Sequence, residues 1–177
     1  YDSKKSGSLT ISHLRFGEEM IQNRYLLSDA NFVACHNESF LERHDMLSQA
    51  EEGAIFLLNT SRGRDEAWDS LPAEVQNQLI AKRMKLYIID AVLLAEKLGL
   101  GARINMIMQT AFFVISGIIP KEDAIKAIKK EIHSTYAKKG DKVLQKNYAA
   151  VDGAMQGIVE ISVPAEATST IKMRPAV

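Results

Sequence analysis

The 177-residue chain balances 22 basic against 22 acidic side chains, so no net charge draws it toward nucleic acid or an anionic membrane. Its 46% apolar and 25% charged fractions are those of an ordinary soluble globular domain with material for one core. A single cysteine, Cys35, excludes an internal disulfide and any four-thiolate iron-sulfur or zinc site built from this chain alone, and it fits a reducing, cytoplasmic setting.

The chain opens on a basic turn, Lys4-Lys5-Ser6-Gly7-Ser8, in which two ammonium groups and the backbone amides around Gly7 could together hold a phosphate. Leu9 to Arg15 then alternates Leu9, Ile11 and His13 against Thr10, Ser12 and Leu14, which predicts a strand. On that strand His13 shares the apolar face, as a hydrogen-bonded, partly buried histidine. Ser12 points the other way, so the two cannot form a nucleophile and base pair.

Three further strands are predicted at Asn31 to Cys35, Ala54 to Asn59 and Lys85 to Asp90. Their cores, Phe32-Val33-Ala34-Cys35, Ile55-Phe56-Leu57-Leu58 and Leu86-Tyr87-Ile88-Ile89, are unbroken apolar runs, the pattern of parallel strands covered on both faces. Helices are predicted between them at Ser39 to Ala50 and Pro72 to Met84, with Gly53 as a left-handed helix end and Pro72 in a first turn. Such alternation implies right-handed crossovers.

Beyond Asp90 the pattern is helix after helix: Ala91 to Leu98 closed by Gly99, then Arg103 to Ile118. The second is apolar but does not reach the roughly 18 uninterrupted apolar residues of a membrane span, because Asn105, Gln109, Thr110, Ser116 and Gly117 break it. In Lys121 to Lys138 the apolar Ala124, Ile125, Ile128, Ile132 and Tyr136 recur at helical spacing, and Leu144, Tyr148, Val151, Met155 and Ile158 do so in Asp141 to Ile161. These two helices, joined through Gly140, form a C-terminal hairpin on the body. Residues 163–177, with two prolines and few large apolar groups, read as an extended tail or interdomain linker after a module spanning residues 1–162.

Two groups of side chains invite a chemical reading. Cys35, His36, Glu38, His44 and Asp45 include metal-ligand types, but their spacing matches no zinc pattern, and a cysteine ending a buried strand acts as a small apolar residue. The stretch Gly99-Leu100-Gly101-Ala102-Arg103-Ile104-Asn105 introduces a helix whose first amides, arginine and asparagine favour an anion. Asn105 and Gln109, four apart, share one face and need partners, either neighbouring loops or a ligand or second domain. Charge is also uneven: residues 31 to 80 hold nine acids against three arginines, residues 121 to 146 eight lysines against four acids. These are solvated faces or docking surfaces for neighbouring domains.

Several phrases, in order, resemble the gamma-type domain of pyruvate:ferredoxin (or flavodoxin) oxidoreductase, within the 2-oxoacid:ferredoxin oxidoreductase family. They are Lys4-Lys5-Ser6-Gly7 through Ser12-His13-Leu14-Arg15-Phe16-Gly17, Phe32-Val33-Ala34-Cys35-His36, Phe56-Leu57-Leu58-Asn59, Gly99-Leu100-Gly101 with Arg103-Ile104-Asn105, Met108-Gln109-Thr110, and Lys146-Asn147 with Ala150-Val151-Asp152. Ser8 departs from the family, which commonly shows a second glycine there, and restricts the turn's backbone.

The resemblance implies an α/β fold with a mostly parallel sheet of about four to five strands. It implies a large, homodimeric parent that decarboxylates pyruvate on thiamine diphosphate with magnesium. Electrons pass through 4Fe-4S clusters to ferredoxin or flavodoxin, and the acetyl group passes to coenzyme A. In the family a further strand and helix precede the Lys4-Lys5 turn; they are missing from this sequence, so the sheet is expected to have an open edge. This fragment is expected to bind no cofactor alone, to hold no catalytic residue and to be inactive in isolation. Its expected part is packing plus part of the coenzyme A site, with Lys4, Lys5, Arg103, Asn105 and Gln109 as contacts. The alternatives are a purely architectural module and a stand-alone nucleotide-binding, flavodoxin-like protein.

Overall fold

A computed structural model describes residues 10–16 and 28–174. Among the described residues the sheet has four strands in the order β1 (Ala30–Cys35), β2 (Ala50–Asn59), β3 (Lys85–Ile89) and β4 (Val159–Ile161). The first three are parallel and β4 runs antiparallel to β3, so the fold is α/β and mostly parallel as the apolar runs predict. Strand alternation divides each run between two cores. Phe56, Leu58, Leu86 and Ile88 face one side, against α1 (Arg64–Ala67), α2 (Ala73–Ala81), Leu41 and Leu47. Leu57 and Ile89 face the other, against α3 (Ala91–Lys97), α4 (Asn105–Ser116) and α6 (Asp141–Gly157).

Outside that second layer lies α5 (Lys121–Tyr136), which forms the expected hairpin with α6. Ile128 and Ile132 bury themselves against Leu144 and Val151, and the lysines stay largely at the surface. Helix boundaries follow local chemistry: the Asp90 carboxylate accepts the Leu93 amide at 2.9 Å to start α3, and Pro120 directly precedes α5.

The structure corrects four expectations. Leu9 lies outside the described residues, and residues 10–16 are in no regular structure, with His13 exposed and Ile11 and Leu14 66% and 67% exposed. Alternation alone makes no strand: a ladder also needs a neighbour, and none of β1 to β4 pairs with this segment. The helix expected over Ser39 to Ala50 is a single 3-10 turn, Glu38–Glu42, capped by the Asn37 side chain. The chain then turns into β2 four residues before the expected Ala54.

Gly53 ends no helix. It has φ +76 inside β2, where 30 to 32 on β1 answers 50 to 55 on β2, so a left-handed residue lets the extra backbone bulge out. Finally, α6 stops at Gly157, and Val159–Ile161, expected as helix, supplies β4 on the outer edge of β3. The β-branched Val159 and Ile161 suit a strand once that edge offers its amides and carbonyls.

Candidate functional site

The loop from α3 to α4 is built by backbone turns. The Gly99 amide donates to the Glu96 carbonyl at 2.9 Å and the Leu100 amide to the Ala95 carbonyl at 2.8 Å. Gly99 has φ +65, and a Cβ there would sit 2.7 Å from Lys146 Nζ, which donates to the Gly99 carbonyl at 3.2 Å. A glycine at 99 thus does two things: it accepts the left-handed turn, and it lets the α6 lysine reach the loop.

At the head of α4, Ile104 gives no side-chain cap, so the first-turn amides stay open. Beside them is a cavity of about 190 Å3 lined by Arg103, Asn105 and Gln109, with Leu100 and Met106 as its apolar part and Tyr136 and Asn147 reaching in from α5 and α6. Three of the five site residues expected from sequence therefore line one cavity. The other two, Lys4 and Lys5, lie outside the described residues.

The polar groups of this cavity are available. Asn105 and Gln109 are exposed, and among the described residues neither side chain hydrogen-bonds a neighbouring loop. Asn147 is 6% exposed; its Nδ2 donates to the Val143 carbonyl at 2.8 Å, and among the described residues no hydrogen bond reaches its Oδ1. Lys139 Nζ stands 5.1 Å from the centre of the Tyr136 ring. Arg103 supplies the positive charge in the cavity lining, beside helix amides whose dipole has the same sign, while Lys139 and Lys146 contact Tyr136 and the Gly99 carbonyl. Such a site can take an anionic group together with a hydrogen-bond donor for Asn147.

Sequence reasoning missed Tyr136 and Asn147 as lining residues. For Asn147 there was a signal: it falls at helical spacing on the buried side of α6, between Leu144 and Val151, where a carboxamide needs a reason. Tyr136 read simply as the last apolar position of its stripe.

The Cys35 group forms no comparable site. Among the described residues no set of three His, Cys, Asp or Glu side chains is arranged to hold a metal. The Glu38 carboxylate accepts the Thr60 hydroxyl. Asn59 donates to the His36 carbonyl and accepts the Ala91 amide, each at 2.9 Å. Burial pushes the Cys35 thiol up to about 11, and its Sγ donates to the Asn37 carbonyl at 3.0 Å. Iodoacetamide at pH 8 is expected to leave Cys35 unmodified in the folded chain and to alkylate it in urea; rapid alkylation without urea would contradict the burial.

The comparisons with known proteins agree on one family. A family model described as pyruvate ferredoxin/flavodoxin oxidoreductase matches residues 1–157. The chain is 49% identical over 182 residues to pyruvate:ferredoxin oxidoreductase of Moorella thermoacetica, covering 99% of this chain and 16% of that protein. It is 49% identical over 164 residues to pyruvate-flavodoxin oxidoreductase of Rhodospirillum rubrum, covering 93% and 14%. Among solved structures, subunit PORC of pyruvate oxidoreductase from Thermotoga maritima shares the fold at a TM-score of 0.60 and 19% identity, over 76% of this chain and 67% of that one. The chain thus spans about one sixth of the first of these curated relatives and less of the second. On the match over residues 1–157 and identities of 49%, it belongs to the pyruvate ferredoxin/flavodoxin oxidoreductase family.

Proposed function

We propose that this chain is a module of a pyruvate:ferredoxin or pyruvate:flavodoxin oxidoreductase, and that it contributes part of the coenzyme A site rather than the redox chemistry. The observation that carries this reading is the cavity at the head of α4, lined by Arg103, Asn105, Gln109 and Asn147, in a chain of this family. Coenzyme A is a polyanion with amide and amine donors. Arg103 and the open amides suit its phosphates, and the unpartnered Asn147 Oδ1 suits a donor. At about 190 Å3 the cavity is smaller than the roughly 300 Å3 at which whole small-molecule sites begin, so it suits one end of such a ligand.

The chain's residues do not fit the redox groups. One buried, protonated thiol cannot ligate a 4Fe-4S cluster, and no step runs through one in this module. Thiamine diphosphate with its magnesium, the clusters and the contact with ferredoxin or flavodoxin belong to other parts of a homodimeric parent. A cytoplasmic setting follows from the same reading. Among the described residues no helix is long and apolar enough to cross a membrane.

Lys4 and Lys5, which lie outside the described residues, are proposed as further phosphate contacts on the family resemblance of the Lys4-Lys5-Ser6-Gly7 turn. Replacing both by alanine in the full-length oxidoreductase is expected to raise the KM for coenzyme A about tenfold, the equivalent of ~1.4 kcal/mol, and to leave the KM for pyruvate in place. An unchanged coenzyme A KM overturns their role and favours the purely architectural alternative.

A further inference from the structure

Residues 163–174 contain no helix or strand, yet they are not free. The segment runs along α1 and α2, held almost wholly by hydrogen bonds. Gln76, fully buried on α2, donates from Nε2 to the Trp68 carbonyl at 2.7 Å. Its Oε1 accepts two consecutive amides of the segment, Thr168 at 2.8 Å and Ser169 at 2.9 Å. Trp68 Nε1 donates to the Thr168 hydroxyl at 3.0 Å, which donates onward to Asp69 Oδ1 at 2.7 Å.

Farther along, the Ile171 carbonyl accepts the Ala73 amide at 2.7 Å, one of the orphan donors of the first turn of α2 that Pro72 cannot cap. The Met173 amide donates to Glu74 Oε2 at 3.0 Å, and the Arg174 amide to the Glu42 carbonyl at 2.6 Å. A buried carboxamide with both acceptor positions filled by one stretch of backbone is a specific receptor for that stretch. In contrast, the segment itself is mostly exposed, and only Val163 and Met173 pack against the core. Elements with few apolar anchors and many surface hydrogen bonds are the first to open locally.

We propose that residues 163–174 are a releasable clasp: docked in cis on Gln76 and Trp68, and able to lift off while the sheet and its helices stay folded. Release would uncover the Trp68 indole and the Gln76 carboxamide. In proteins of the relatives' length, the clasp would decide whether the flanking polypeptide is held beside Glu42 or swings from the end of β4. This inference is independent of the coenzyme A reading.

The test is amide hydrogen exchange on the 177-residue chain, with the emission of its single tryptophan as a second readout. The amides of Thr168, Ser169 and Met173 are expected to exchange on the order of a hundredfold slower than in a free peptide but well ahead of the β2 and β3 amides. Ser169→Pro, which removes one docking amide without touching α2, is expected to abolish that protection and shift Trp68 emission to the red, with helical circular dichroism unchanged. Free-peptide exchange in the unsubstituted chain would show that the segment does not dock and overturn the clasp. Exchange as slow as in β2 and β3, or loss of helical signal in Ser169→Pro, would overturn its release by making the segment part of the cooperative core.

Discussion

Phe56→Ala is expected to cost the chain about 3–5 kcal/mol, a large share of the roughly 5–15 kcal/mol that holds a domain together. Phe56 is fully buried in the middle of β2, the central strand of the parallel trio, in register with Val33 on β1 and Leu86 on β3. Its ring fills the core under α1 and α2 with Cys35, Leu41, Trp68 and Leu79. Strands on both sides pin the backbone, so the structure cannot collapse into the space the ring leaves. Urea titration followed by circular dichroism measures the loss. A change below about 1 kcal/mol would mean that this face is not packed as described.

The same strand shows how much the sequence revealed. The run Ile55-Phe56-Leu57-Leu58 was legible as a parallel strand because both faces must be apolar when helices cover both. The structure puts Phe56 and Leu58 in one core and Leu57 in the other. Hairpin helices α5 and α6 were legible for the complementary reason, a single apolar stripe with lysines opposite. What stayed hidden depends on distant partners. Three residues at Val159–Ile161 become β4 only because β3 has an open edge, and the bulge at Gly53 answers the register of β1. Leu9 to Arg15 shows the converse, a strand pattern whose described part lacks a ladder.

Site residues divide in the same way. Arg103, Asn105 and Gln109 are close in sequence on one helix head, so their grouping could be read from spacing alone. Tyr136 and Asn147 meet them only through the packing of α5 and α6 on α4. Nor did composition distinguish a tail from a docked segment, since the Gln76 receptor lies 92 and 93 residues before its amides.

Arg103 is exposed and lines the cavity at the head of α4, where the first-turn amides stay open. A guanidinium gripping a phosphate makes paired charge-assisted bonds, but solvent screening at an open mouth tempers their strength. Steady-state kinetics of Arg103→Ala in the full-length oxidoreductase, varying coenzyme A and pyruvate in turn, is the decisive measurement. The KM for coenzyme A is expected to rise about tenfold, more at low salt than at high, with the KM for pyruvate unmoved. An unaltered coenzyme A KM, or a loss of turnover that no coenzyme A concentration restores, would contradict a coenzyme A site at the head of α4.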